Sequence, residues 1–135
     1  MKTCKKLGIK TVAVYSEADE SALFVKYADE AVLIGPAPSA QSYLSMNAIL
    51  EACKKTGAMA VHPGYGFLSE KPEFAELLMK NGITFIGPPP EAMRLMSDKL
   101  QSKSSAMKAK VNVVPGVFDV IDDVGKAIAI ANQIG

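Results

Sequence analysis

Short apolar runs alternate along the chain with stretches whose apolar positions recur every three or four residues. Thr11–Tyr15, Ala31–Ile34, Ala58–Val61 and Ile83–Ile86 are the runs, and each reads as a buried strand. The intervals read as helices. Ser21 to Ala28 predicts a short one, capped by Asp19 or Ser21. Ser42 to Lys55 predicts a longer one, with Tyr43, Met46, Leu50 and Cys53 on one stripe and Gly57 placed to end it. Pro72 opens a third, because its missing N–H does no harm in a first turn; Phe74, Leu77 and Leu78 form its buried stripe and Gly82 closes it. Gly35-Pro36 and Gly87-Pro88-Pro89-Pro90 stop the second and fourth strands. From Glu91 to Lys110 the pattern is helical, with a break near Ser97-Asp98, and Val111–Gly116 is extended. Asp122 or Asp123 caps a last helix carrying Val124, Ile128, Ala131 and Ile134 on one face.

Strands that alternate with helices at this rhythm imply parallel β-α-β units. The expected fold class is therefore α/β, with a Rossmann-like parallel sheet first. No internal repeat or low-complexity segment interrupts it. Met1 to Leu7 reads as the tail of an amphipathic helix closed by Gly8, with no strand before it, and the last helix stops at Gly135. A parallel sheet without its first strand exposes an apolar edge. The expectation is a fragment, or a chain that pairs with something else.

At 135 residues the chain is about one domain long, and 49% hydrophobic residues support a real core. A net charge of +1 with 21% charged residues argues against a nucleic-acid protein, which shows a basic excess. Arg94 is the sole arginine, so the chain supplies at most one planar bidentate clamp for carboxylate or phosphate. Cys4 and Cys53 fall on predicted helices and read as free thiols. There is no CxxC, no HExxH and one histidine, so no structural metal site is expected. No run reaches the ~20 apolar residues of a membrane span, and no targeting segment is visible.

The segment His62-Pro63-Gly64-Tyr65-Gly66-Phe67-Leu68-Ser69, with Glu70 behind it, stands at the carboxyl end of the third strand. Open α/β sheets bind ligands at that end. Read from the residues alone, Gly64 and Gly66 make a turn, Tyr65 is a half-buried aromatic, and Glu70 is a simple cap, a carboxylate at a helix start. His62 reads as hydrogen-bonded structure; an imidazole also permits proton transfer, but no partner that would tune it is apparent.

With this loop the chain closely resembles the biotin carboxylase family. The matching stretches are KKLGIKTVAVYSEAD (Lys5 to Asp19), ADEAVLIGPAPS (Ala28 to Ser39), SYL (Ser42 to Leu44), AVHPGYGFLSE (Ala60 to Glu70) and FIGPPPEAMRLMSDK (Phe85 to Lys99). They cover nearly the whole chain in order. The resemblance implies a two-step ligase: ATP activates bicarbonate as carboxyphosphate, and carbon dioxide passes to a biotin held on a carrier domain. It implies a pre-ATP-grasp domain over residues 1–98, first strand missing, and the truncated helical start of an ATP-grasp domain over 99–135. Lys99 matches the family lysine that reaches the ATP phosphates, a natural partner for an ammonium. Tyr65 and Gly66 match the wall of the biotin and bicarbonate pocket, and Glu70 would orient neighbours there. Without the family, Lys99 is a solvated helix lysine.

The implied cofactors are ATP, Mg2+ and biotin. The implied partners are bicarbonate, a biotin carboxyl carrier domain, a carboxyltransferase subunit and the rest of the ATP-grasp domain, with no nucleic acid and no membrane. The implied compartment is intracellular, the mitochondrial matrix in a eukaryote and the cytoplasm in a bacterium. SEAD and SYLSM look most like acyl-CoA carboxylase α subunits. Ser97 departs from the family's usual glycine and Lys71 from a common asparagine. A glycine with φ > 0 at Ser97 would be costly to replace; one in an αR or β conformation would not. The family's second ATP lysine, glycine-rich loop, Mg2+-binding acids and bicarbonate-acting arginines have no counterpart in the chain. No catalytic residue is assigned, and the chain alone is expected to be inactive. The rival readings are another ATP-grasp ligase and a non-catalytic Rossmann-like assembly or ligand-binding module. Coding sequence for a strand, a lysine and a glycine run after Gly135 would favour the enzyme.

Overall fold

The computed structural model describes residues 1–117 and 120–135. It divides into two compact units, Met1–Pro90 and Glu91–Gly135.

The first unit opens with α1 (Lys2–Lys6), which carries Cys4. β1 (Val12–Ser16), α2 (Leu23–Tyr27) and β2 (Glu30–Gly35) make one β-α-β unit, and its two strands pair in parallel. β3 (Ala60–Val61), α4 (Pro72–Lys80) and β4 (Thr84–Phe85) repeat the arrangement. Between them runs α3 (Met46–Thr56). The expected parallel α/β architecture is present, but the hydrogen-bonded ladders are two separate pairs, β1-β2 and β3-β4.

Several local expectations shift. Neither Asp19 nor Ser21 caps α2; Ala22 holds that position without a side-chain bond, because Asp19 is engaged elsewhere. α3 starts at Met46 rather than Ser42, since a 3-10 turn at Ser39–Gln41 precedes it and the Ser45 hydroxyl accepts from Ala48 N–H at 3.3 Å. Tyr43 therefore precedes the helix. Gly57 ends α3 in the left-handed region, as its position predicts. β1 and β2 are less enclosed than buried strands: Ala13 and Ile34 are buried, but Leu33 is 50% exposed.

The core gathers Ile34 of β2, Ile49, Leu50, Ala52 and Cys53 of α3, Phe74 and Leu78 of α4, Ile83, and Leu68 from the loop after β3. Phe74 packs edge-on to Phe85 with centroids 6.2 Å apart. Burial pushes the Cys53 thiol up, which keeps it protonated, and both cysteines are free.

The second unit contains α5 (Pro90–Ser97, whose first residue closes the first unit), α6 (Lys99–Lys108) and α7 (Val124–Ile134). The break between α5 and α6 falls at Asp98, whose carboxylate accepts from Leu100 and Gln101 N–H. Of the two proposed caps, Asp123 starts α7, accepting from Lys126 N–H at 2.7 Å. The apolar face of α7 is open, with Val124 and Ile128 both exposed. Among the described residues, no helix is long and apolar enough to cross a membrane.

Candidate functional site

Leu68 is the anchor of the loop that follows β3. It is buried in the core, while His62, Tyr65, Gly66, Phe67 and Glu70 are exposed. Gly64 and Gly66 both take φ near +70°, and a Cβ on either would meet nothing within 4 Å. These glycines are required by backbone conformation rather than by crowding. Phe67 follows at φ +46°, an uncommon value for a bulky residue. Its ring stacks on Tyr43 with centroids 5.6 Å apart. The loop is thus held at one end by Leu68 and on its flank by Tyr43.

Tyr43 ties the loop to the end of β1. Its hydroxyl donates to Asp19 Oδ2 and accepts from Ser16 N–H at 3.0 Å. Ser16 Oγ donates to the same carboxylate oxygen at 2.9 Å. The hydrogen bond from Tyr43, and then that from Ser16, hold the Asp19 carboxyl below the usual carboxylate range. Burial, and then the bond to Asp19, push the Tyr43 hydroxyl up. Asp29 does a similar job at the start of the strands: its Oδ2 accepts from Thr11 N–H and Thr11 Oγ1, both at 2.8 Å, which lowers its pKa.

Tyr65 does not become a half-buried aromatic: it is 95% exposed, because the two left-handed glycines swing it off the body of the unit. His62 is in a local hydrogen bond, with Nδ1 accepting from Gly64 N–H at 3.1 Å. That bond leaves the imidazole proton on Nε2 when the ring is neutral. Glu70 is not the helix cap. Lys71 occupies the N-cap position of α4 without a side-chain bond, and Glu70 lies one residue before it.

Lys99 opens α6 in the second unit and is exposed. Asp98 already accepts from the N–H groups of Leu100 and Gln101, so the free group at this helix start is the lysine ammonium. Ser97 completes α5 with a φ outside the positive region, and its hydroxyl donates to Arg94 C=O at 2.9 Å. A glycine is therefore not required there. Tyr65, Gly66 and Glu70 share one loop of the first unit; Lys99 belongs to the other unit.

The Ser16–Asp19–Tyr43 network escapes a pattern-based reading. Its signal is a serine and an aspartate three apart at a strand end, where short polar side chains bond locally. A cavity of about 110 Å3 beneath the loop is walled by Val14, Tyr43, Pro63, Phe67 and Phe74. A hollow of about 480 Å3 beside β4 is lined by Phe85, Gly87, Pro88 and their neighbours, with no ionisable side chain.

Known proteins match this chain along its length. The family model for the biotin carboxylase N-terminal domain matches residues 1–93. This chain is a member of that family. It is 56% identical over 135 residues to the mitochondrial propionyl-CoA carboxylase alpha chain of Rattus norvegicus, covering all of this chain and 18% of that one. It aligns with a TM-score of 0.90 and 46% identity to a Campylobacter jejuni biotin carboxylase solved as a β,γ-ATP complex, covering 99% of this chain and 30% of that one. A biotin carboxylase domain of a thermophilic 2-oxoglutarate carboxylase, bound to bicarbonate, gives the same score, identity and coverage. The chain thus spans about a fifth of the carboxylase chain it matches. The family's N-terminal domain accounts for the first unit and for the special loop at the carboxyl end of β3.

Proposed function

We propose that the chain is the N-terminal part of a biotin carboxylase, the ligase that uses ATP and bicarbonate to carboxylate carrier-bound biotin within an acyl-CoA carboxylase. The observation that carries this reading is identity of 56% sustained over every residue to a propionyl-CoA carboxylase alpha chain. In the same proposal, residues 1–98 form the pre-ATP-grasp domain and residues 99–135 begin the ATP-grasp domain. The compartment follows the relatives: the mitochondrial matrix in a eukaryote, the cytoplasm in a bacterium. A carrier domain, a carboxyltransferase subunit and the remaining ATP-grasp domain are the proposed partners.

ATP, when bound, supplies the phosphoryl group that activates bicarbonate. The residues present fit one phosphate contact. Lys99 offers an exposed ammonium at a helix start whose Leu100 and Gln101 N–H groups are already used by Asp98, so it meets a phosphate oxygen as a point charge. Tyr65 and Gly66 form a pocket wall: an exposed ring beside a backbone with no Cβ to block close approach. Glu70 orients neighbours from the base of that wall. Among the described residues, no group of three or more His, Cys, Asp or Glu side chains is placed to hold a metal ion, so no step is assigned to Mg2+.

The test is a chimera in which residues 1–135 replace the corresponding segment of a biotin carboxylase, with biotin-dependent ATP cleavage as the readout. Activity within about tenfold of the parent is expected, and Lys99→Met in the chimera should raise the KM for ATP at least about tenfold, the size of a lost charge-assisted contact. A folded chimera without turnover would overturn the reading.

A further inference from the structure

The loop after β3 does not fix Tyr65 by itself. Gly64 and Gly66 flank that residue, both with φ near +70°, and glycine turns about its backbone bonds more freely than any other residue. The Tyr65 ring is 95% exposed, so packing does not hold it. The bonds from Gly64 N–H to His62 Nδ1 and from Ser69 N–H to Gly66 C=O close turns within the loop and travel with it. Beneath the loop lies the cavity of about 110 Å3, far more than the roughly 10–15 Å3 that admits one water, so the loop does not sit on a packed floor.

The loop is fixed from its flank. Phe67 stands at φ +46°, a conformation that a bulky residue keeps only where its surroundings over-determine it. Two contacts do so. Leu68, the next residue, is buried in the core, and the Phe67 ring stacks on Tyr43 with planes 28° apart. Tyr43 is itself held on both sides of its hydroxyl, which donates to Asp19 Oδ2 and accepts from Ser16 N–H at 3.0 Å. Asp19 Oδ2 also accepts from Ser16 Oγ at 2.9 Å, and Ser16 is the last residue of β1. A continuous path therefore runs from β1 through Ser16, Asp19, Tyr43 and Phe67 to the backbone next to Gly66 and two residues from Tyr65.

We propose that Tyr43 and Asp19 are positioning residues for the biotin pocket wall: through Phe67 they set where the Tyr65 ring and the Gly66 backbone stand over the end of β3. The inference rests on the reading of Tyr65 and Gly66 as that wall, and deepens it. Neither Tyr43 nor Asp19 needs to touch substrate. A ligand that packs on an exposed ring and approaches a bare backbone gains its contacts only where both are held in place by locked neighbours. A misplacement of ~1 Å can cost about a hundredfold. Lys99 belongs to the other unit and the path contains none of that unit's residues, so the proposed phosphate contact does not depend on it.

The test uses the chimera that carries residues 1–135 in a biotin carboxylase, with free biotin and ATP varied separately. Tyr43→Phe keeps both rings but cuts them loose from β1; Phe67→Leu keeps the hydrogen bonds but removes the stack. Each should raise the KM for biotin at least about tenfold while the KM for ATP stays within about twofold. The double variant should be no worse than the worse single one, because both substitutions cut one path. In the 15N-labelled 135-residue chain, relaxation should show the Tyr65 and Gly66 amides gaining fast motion in both variants. An unchanged KM for biotin, a parallel rise in both KM values, additive effects in the double variant, or loop amides as rigid as before would each overturn the proposal. A folded chimera that cleaves no ATP before any substitution would instead sink the ligase reading, and the pocket role with it; the amide relaxation would then still decide whether Tyr43 holds the loop.

Discussion

Tyr43 holds three things at once: the Asp19 carboxylate, the buried end of β1 through Ser16 N–H, and the Phe67 ring of the loop. Tyr43→Phe keeps the stack and removes both hydrogen bonds. Loss of the Ser16 partner leaves a buried N–H unsatisfied and costs about 1–3 kcal/mol at any pH. Loss of the Asp19 contact adds a pH-dependent part. The folded Asp19 pKa is depressed, so this contribution is full above the unfolded carboxylate value of about 3.9 and disappears as pH falls through the depressed value. Melting curves should show the wild-type advantage largest near pH 7 and smaller, but not zero, at pH 3. Carboxyl titration by NMR should place Asp19 higher in the variant. The glycines give a second contrast. Gly66→Ala meets open space and carries only the left-handed strain, about 1–2 kcal/mol. At Gly35 the new Cβ would lie 2.2 Å from the Gln41 carbonyl oxygen with φ at +147°, and backbone cannot step aside. Denaturant titration should find Gly66→Ala folded and mildly destabilised, and Gly35→Ala unfolded or nearly so.

Among the elements, α4 has a stripe that is legible in advance: Phe74 and Leu78 are fully buried, and Phe74 also meets Phe85 of β4. Phe74→Ala should cost about 3–5 kcal/mol in chemical denaturation, the range for a buried aromatic truncated in a core. A loss under about 1 kcal/mol would mean that α4 does not pack as described. The start of α3 is less legible. Apolar spacing carries the helix back to Tyr43, but the Ser45 cap and the 3-10 turn before it release Tyr43 to reach Asp19. Periodicity registers where a residue would lie on a helix; it does not register a cap that starts the helix three residues later. The strands show the same limit. Their apolar runs predict burial on both faces, yet Leu33 is half exposed and Val12 and Val14 border a cavity.

For the whole molecule, the proposed division of labour has a direct consequence. The chain offers one phosphate-binding lysine and one pocket wall, and phosphoryl transfer depends on positioning by many groups together. The isolated chain should therefore give no biotin- and bicarbonate-dependent ATP cleavage above buffer in a coupled ADP assay; clear turnover would contradict this. The sequence by itself determined the α/β class, the order of elements, the break at Ser97-Asp98 and the loop that marks the family. Each of these rests on local chemistry: apolar period, glycine and proline punctuation, and a run of special residues at a strand end. Only the tertiary structure decided that Tyr65 projects into solvent, that Leu68 is a core residue, and that Ser16, Asp19 and Tyr43 act as a unit. Those facts depend on which distant segments meet, and residues 27 positions apart, such as Ser16 and Tyr43, share no local pattern that announces their bond.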